Sequence, residues 1–399
     1  MKVLIITLRN WWLGVSRLPL ALHKAGFEVA AWCPHDSFLA RTGGVTRHFP
    51  WNGAENWSRR LSAIVAEWQP EMIIPGDETM AHFLRKIAAQ SPLLHPENAA
   101  LRQLLRASMG DPRTTRTLDG KIAFQRMAAD LGLRTPDDRA VKDAAAALAT
   151  AGGLGYPVVL KDEYAAGGIG VKICATPEAL RASWDELEQA TPRPRSLRQK
   201  LVHLAKAARG GQQAKRRSLQ RFIQGKPAFH AVAALAGQRL AGVTAIVEVS
   251  DPPGTGPSCV IRLCEVPEIS IACEKIIRAT GMSGFAGFDF MVEAETGNAY
   301  VLECNPRPTP VSHLGGLVGS DLCAALWDAL HGTTATGSGP KTPAAKEQWV
   351  AFYPQEMLRD PHSPYLRTAY VDFPHDDLPL MQALRERNPG LGEPPQASG

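Results

Sequence analysis

Apolar residues in the first hundred positions fall into short runs separated by longer amphipathic stretches. Val3 to Thr7, Phe27 to Trp32 and Met72 to Pro75 are compact and apolar, whereas Arg17 to Ala25 and Arg59 to Trp68 read as helices between them. This alternation predicts an open parallel α/β sheet with both faces covered, over residues 1–114. Asp77 and Glu78 follow the run Met72 to Pro75. The carboxyl ends of strands are where open α/β sheets take ligands, so both acids are candidate substrate contacts. Two acids would serve the N-terminus of a following helix equally well.

Two patterns further along carry chemistry. YPVVLKDEYAAGGIGVKI is an apolar strand ending in Lys161, a loop with Gly167, Gly168 and Gly170, and a second strand. Backbone N–H groups of such a loop, with one lysine, close over phosphates. The run Phe288 to Val292, the turn Thr296-Gly297-Asn298 and the strand through Val301 and Leu302 predict a hairpin. Glu303 and Asn305 sit two apart and share a face, and the hairpin returns Asp289 beside Glu303. Cys304 then points to the opposite, core side. Two carboxylates and an amide oxygen suit magnesium, or manganese, with nucleotide phosphates as the remaining ligands. Arg307 would face the same cleft as a fixed cation for an oxyanion.

These motifs, in this order over roughly residues 115–315, resemble the ATP-grasp superfamily. Lys121 in LDGKIAFQRMAADLGLRTP resembles the family's first lysine, opening a helix that ends in a Gly-x-x-x-Pro connection. In LQRFIQGKPA, Gln220, Arg221, Phe222 and Ile223 resemble the hinge that receives adenine through backbone groups, followed by Gly225. Gln220 stands where relatives commonly have glutamate, and Pro227 where many have a ribose-binding carboxylate, which leaves His230 on the next strand as a candidate replacement. Ser312 and His313 in TPVSHLGG either line the substrate side or cap the loop. The Glu-x-Asn-x-Arg form is closer to the biotin carboxylase and carbamoyl phosphate synthetase branch than to D-alanine ligases.

The resemblance implies an ATP-grasp fold, α/β with an α+β lid, preceded by the open parallel domain. The ATP-grasp part would span 115–335, with a helical entry to residue 155 and a mobile lid over about 156–225; residues 336–399 would be a linker and accessory tail containing the strand-like run Trp349 to Tyr353. It further implies ATP and Mg2+ (or Mn2+) as cofactors, Lys121 and Lys161 on the phosphates, and Arg307 and Lys161 as catalytic groups. The implied reaction joins a small-molecule carboxylate to an amine through an acylphosphate. An ATP-dependent carboxylase or carboxylate-thiol ligase is the nearest alternative, and a degenerate nucleotide-binding scaffold or sensor is the non-enzyme one. A homodimer is compatible with this reading.

Composition changes the picture little. With 45% hydrophobic and 21% charged residues the chain reads as an ordinary globular protein. MKVLIITLRNWW reads as a first strand rather than a signal peptide, and no run approaches a membrane span. Seven cysteines without Cys-x-x-Cys spacing read as free thiols, which suits a cytoplasmic location. His375, Asp376 and Asp377 after Pro374 read as a solvated turn rather than a metal site.

The net charge of +5 is unevenly placed. No Asp or Glu occurs from Gln189 to Val247, while Arg193, Arg195, Arg198, Lys200, Lys206, Arg209, Lys215, Arg216, Arg217 and Arg221 accumulate. Leu197, Leu201, Leu204, Ala205 and Ala208 recur at helical spacing, so a lid helix carries an apolar stripe and a cationic surface. Residues 193–221 either form a solvated lid face or dock an anionic carrier or membrane surface. No nucleic acid partner is expected.

Overall fold

The computed structural model describes the chain except for residues 12, 54–55, 91–97, 115–116, 119, 163–169, 190–216, 255, 333–345, 391–393 and 395–399. The alternation of the first hundred residues builds strands β1 (Lys2–Ile6), β2 (Glu28–Cys33), β3 (Arg47–Pro50) and β4 (Met72–Pro75), all parallel, in the order β3-β2-β1-β4. Leu4 and Ile6 point to one face, against Leu61 and Ile64 of the helix Trp57–Trp68; Val3 and Ile5 point to the other, against Leu22 of the helix Leu18–Ala25. The sheet is thus buried on both sides, which is why its strands read as continuous apolar runs. Only β3 escaped the pattern, because of its four residues Phe49 alone is buried to the core.

A small antiparallel sheet follows: β5 (Asp138–Val141), β6 (Val158–Asp162), β7 (Val171–Cys174) and β8 (Arg217–Arg221), in the order β5-β8-β6-β7. Val158, Leu160, Cys174 and Leu219 face the helices Ala144–Leu154 and Pro177–Gln189, meeting Ala147, Ala151, Leu180 and Trp184. Alternation turns Asp138, Val159, Lys161, Ser218 and Gln220 to the opposite, open face, away from these two helices. The stretch expected as a purely helical entry therefore contains β5 as well. A short edge strand reading Asp-Arg-Ala-Val has one buried apolar residue and gives no hydrophobic signal.

The large sheet has seven strands: β9 (Gly225–Leu235), β10 (Gln238–Ser250), β11 (Ser258–Cys264), β12 (Gly284–Glu293), β13 (Ala299–Asn305), β14 (Gln348–Phe352) and β15 (Tyr370–Asp372). Their order is β13-β12-β9-β10-β11-β14-β15, antiparallel except for the last pair. On one face, Ala228, Val232, Phe288, Phe290 and Val301 pack on the helices Pro267–Thr280 and Lys121–Asp130. On the other, Ala231, Ala233 and Val243 pack with Leu322 and Leu326 of the helix Leu322–His331, in one core with β1 and β2.

The C-terminal segment does not stand apart as an accessory. The strand expected at Trp349 pairs with β11 and is followed by β15, so these residues widen the large sheet. They are also tied to the first sheet. Arg17 donates from Nε and Nη2 to Asp372 Oδ1, at 3.2 and 3.0 Å, and His313 Nε2 lies 3.0 Å from the same oxygen. The three side chains are buried. Asp377 is buried too, capping the helix Leu378–Arg387 and accepting from Thr42 and from the Gly43 N–H. The turn expected there forms, with His375 and Asp376 exposed, but Asp377 is a docking point, because it satisfies donors from the first unit. All seven cysteines are buried and none forms a disulfide. No helix among the described residues is long and apolar enough to cross a membrane.

Burial alone would raise the Asp372 carboxyl, yet His313 and Arg17 beside it hold it well below the usual carboxylate range. Its folded value lies below the unfolded value of about 3.9, so its stabilisation is present above that pH and is lost as pH falls through the folded value. Asp372→Asn is expected to lower stability by about 3 kcal/mol at neutral pH, leaving Arg17 buried without its counter-charge. Urea melts of both proteins from pH 7 downward check this: the difference should shrink below about pH 4.

Candidate functional site

The hairpin forms as its turn residues dictate, with Gly297 at φ 73° and its N–H donating to the Glu293 carbonyl. The register sets Asp289 opposite Glu303 and Gly287 opposite Asn305. Between Asp289 and Phe290 the register slips, because Phe290 pairs with Val301 and leaves Leu302 as the extra residue of a bulge. The bulge sends Val301 into the core while Glu303, two residues on, emerges on the opposite face with Asp289. Cys304 returns to the core, as alternation requires.

A bulge leaves carbonyls without ladder partners, and a buried glutamine answers them. Gln125, on the helix Lys121–Asp130, donates from Nε2 to the Val301 carbonyl at 2.9 Å and also to that of Leu302. This fixes the helix so that Lys121, its first residue, brings Nζ to 3.5 Å from Glu303 Oε2. Gln125 carries no motif; a polar residue on the apolar face of a predicted helix was the one signal available.

Asn305 Nδ2 donates to Asp289 Oδ2 at 3.1 Å. Burial and the Glu303 charge push the Asp289 carboxyl well above its ordinary value, against the weaker pull of Arg307 and Asn305. Burial acts on Glu303 in the same direction, but Lys121, Asp289 and Lys161 outweigh it and its carboxyl lies lower. Across the cleft, burial depresses the Lys161 ammonium while Asp138, Glu303 and Asp289 favour its charged form. The small sheet therefore presents its open face to the carboxylate pair. No group of three His, Cys, Asp or Glu able to hold a metal occurs among the described residues. Two carboxylates and an amide oxygen instead suit a hard dication that completes its shell with phosphate and water.

The stretch read as a hinge links the small sheet to the large one. Gln220 ends on the open face of the small sheet, 3% exposed, and Phe222 to Gln224 leave the ladder before β9 begins at Gly225. Gly225 is required there, since a Cβ would lie 2.0 Å from the Val292 carbonyl. Arg221 is exposed and lies 3.6 Å from Glu293, and Ile223 is buried. Gly170 accepts the Asp162 N–H at the base of the glycine loop; Gly167 and Gly168 lie outside the described residues.

Several expectations are corrected. His230 is not on the nucleotide side: it pairs across from Phe288, so its ring enters the face opposite to Asp289. There Nδ1 lies 2.8 Å from Thr244 Oγ1 and burial, with Arg239 nearby, lowers its pKa to about 3. Asp77 is fully buried and structural, since it caps the helix Glu78–Ala88 and accepts from the Thr7 hydroxyl and the Leu8 N–H. Ser312 is a loop cap, accepting the Thr309 N–H at 2.9 Å, and His313 is held by Asp372. Glu78 does reach the cleft, where it takes the Nε and Nη2 donors of Arg307, while Nη1 donates to the Pro308 carbonyl. Arg307 is thus a buried cation already neutralised by the first sheet rather than an open one.

Most of the basic stretch, read as either a solvated lid face or a docking surface, lies in residues 190–216, outside the described part. Arg217 does not belong to a surface. It stacks on Trp184 at 4.3 Å, reaches Glu188 and is 2% exposed. Asp138 was missed altogether. Burial raises its carboxyl, although Ser218 and Lys161 beside it act the other way.

Residues 120–206 match the family model for the carbamoyl-phosphate synthase L chain ATP-binding domain. The chain is 24% identical over 205 residues to the C-terminal section of the carbamoyl phosphate synthase large chain of Methanopyrus kandleri, covering 49% of this chain and 34% of that protein. It is 27% identical over 221 residues to the carbamoyl phosphate synthase large chain of Rubrobacter xylanophilus, covering 53% and 19%. The chain thus matches only about a third or less of the length of these relatives. Among solved structures it is similar to the biotin carboxylase domain of Hydrogenobacter thermophilus 2-oxoglutarate carboxylase, in complex with MgADP, ADP and bicarbonate. That likeness has a TM-score of 0.61 at 17% identity and covers 87% of this chain and 73% of the other. It is also similar to an L-amino acid ligase of Bacillus licheniformis, with TM-score 0.58, 16% identity and coverage of 87% and 78%. These likenesses show that the chain shares the ATP-grasp fold of these structures, and that residues 120–206 resemble the ATP-binding domain of the carbamoyl-phosphate synthase L chain.

Proposed function

We propose that the chain is an ATP-dependent ligase that activates a carboxylate as an acylphosphate and joins it to an amine, releasing ADP and phosphate. The observation that carries this reading is the convergence of Asp289, Glu303 and Asn305 with Lys121 and Lys161 between two sheets. The raised Asp289 carboxyl next to Glu303 is the chemistry of a donor pair made for a cation. Bound Mg2+ would neutralise phosphate charge there. Lys121 and Lys161 would hold the phosphates, and the base would lie between Val159 of the small sheet and Met291 and Pro227, which share the face of Asp289.

In the first step an oxygen of the substrate carboxylate attacks the γ-phosphorus in line and ADP departs. In the second, the amine nitrogen attacks the acyl carbon, phosphate leaves and the nitrogen loses a proton. Neither step needs a nucleophilic side chain, so the chain's contribution is positioning and charge neutralisation. Arg307 stands just past β13, held by Glu78 from beyond the end of β4, and a carboxylate substrate would meet it by sharing or displacing that partner.

Asp289→Asn and Glu303→Gln are each expected to abolish Mg2+-dependent ADP formation in a screen of carboxylic acids. The wild type should give a hydroxamate with hydroxylamine, from capture of the acylphosphate. Bicarbonate-dependent ADP release with no hydroxamate from any acid would favour a carboxylase instead. ADP formation undiminished in both variants would remove the site. Arg307→Ala should lower kcat by about 100-fold or more with little change in nucleotide KM, and Arg307→Lys should not rescue it, since an ammonium cannot reproduce the planar fork. Steady-state kinetics with ATP and the acid varied separately check this.

A further inference from the structure

The carboxyl edge of the first sheet opens a crevice. In the order β3-β2-β1-β4 the chain runs from β1 through β2 to β3 on one side and then crosses to β4 on the other, and open α/β sheets take ligands beyond the strand ends at such a crossing. One carboxylate fastens the two ends together. Asp77 Oδ2 accepts the Thr7 hydroxyl at 2.8 Å and the Leu8 N–H at 2.7 Å, and its Oδ1 accepts the Met80 N–H at 2.9 Å. Arg9, whose N–H donates to Thr7 Oγ1 at 3.1 Å, and Glu78, the residue after Asp77, are thereby set on the two sides of one crevice. Three side chains there have capacity left. Glu78 uses Oε1 for the Nε and Nη2 donors of Arg307, while Oε2 has no partner among the described residues and the side chain is 34% exposed. Arg9 is exposed and meets no acid among the described residues, its guanidinium lying 5.9 Å over the Trp11 ring. That stack leaves the in-plane N–H donors open to a carboxylate. Trp11 is itself 53% exposed.

We propose that this crevice takes the amine co-substrate and that the amine is an α-amino acid with an aromatic side chain: Glu78 Oε2 accepts its ammonium, Arg9 holds its carboxylate and Trp11 packs on its ring. An open acid oxygen, an open guanidinium and an open indole match those three groups in kind. The acid and the cation do not neutralise each other, because Arg307 holds Glu78 and Arg9 lies on Trp11. Glu78 also decides which substrate comes here, since its charge repels a second anion and attracts an ammonium. The same carboxylate touches Arg307, so it sets the amine nitrogen beside the cation assigned to the acyl group. The ammonium gives one proton to Glu78 Oε2 and becomes the nucleophile; the C–N bond forms, the acyl C–O bond breaks, and the second proton leaves with phosphate. This inference rests on the ligase reading above and names the class of its amine.

Calorimetry on the full chain with Mg2+ and a non-hydrolysable ATP analogue tests this without turnover, with circular dichroism confirming that each variant folds. The probes are racemic phenylalanine, glycine, phenethylamine, which lacks the carboxylate, and 3-phenylpropionate, which lacks the ammonium. The wild type should bind phenylalanine more tightly than glycine, and about tenfold or more tightly than either truncated analogue. Arg9→Ala should remove most of the preference over phenethylamine and keep that over 3-phenylpropionate, and Glu78→Gln should do the reverse. Trp11→Ala should bring phenylalanine down towards glycine. A merely structural role for these residues would weaken all four probes alike, and that result overturns the proposal. So does a wild type that binds either analogue as tightly as phenylalanine, or that binds no phenylalanine, while still forming a hydroxamate from a carboxylic acid; the ligase reading would then stand without this amine. No hydroxamate from any acid would remove the ligase reading and this proposal together.

Discussion

Two carboxylates facing each other on one side of a sheet are the constraint around which the molecule is arranged. Asp289 and Glu303 are paired across β12 and β13. Like charges at that separation oppose each other, and burial makes the opposition stronger. Asn305 donates to one carboxylate, Lys121 approaches the other, and Lys161 comes from a different sheet to share the field. The pair is held in place by apolar neighbours on the reverse face, where Phe288, Phe290 and Val301 are packed under the helix Pro267–Thr280. A packed core thus supports an arrangement that electrostatics alone would push apart.

The bulge at Leu302 is the geometric device that makes this compatible with a buried strand. It reverses the facing of everything after it, and its cost is met by Gln125, whose amide takes carbonyls the ladder leaves free. The same glutamine anchors the helix that carries Lys121. The carboxylate face, Lys121 and the core are therefore connected through one side chain rather than assembled separately. The first sheet joins by charge as well as by packing: Glu78 meets Arg307 just past β13, and Asp372 gathers Arg17 and His313 behind it. Residues that looked like substrate contacts at those positions are mostly used to hold the units together.

The motifs that were legible in the sequence are the ones whose meaning is local. Strand alternation placed Asp289, Glu303, Asn305 and Cys304 on their faces, turn chemistry placed Gly297, and apolar runs placed β1, β2 and β4, because each depends on residues two to ten positions apart. The edge strands were harder. β3 and β5 have one buried apolar residue each, and β5 is defined only by the strand it pairs with, nearly eighty residues on.

What the sequence determined by itself was the α/β alternation, the hairpin that sets Asp289 beside Glu303 and Asn305, and the lysines that belong with them. Tertiary structure alone decided which acids were spent on structure and which were left for chemistry. Asp77 and Glu78 are neighbours, yet one caps a helix and the other meets Arg307, because the helix start turns their side chains apart. His230 was lost to the far face by the parity of its strand, and Asp138 comes beside Gln220 only through the pairing of β5 with β8. A side chain's type is written in the sequence, but its partners and its face are set by pairings between distant strands, and those pairings exist only in the folded chain.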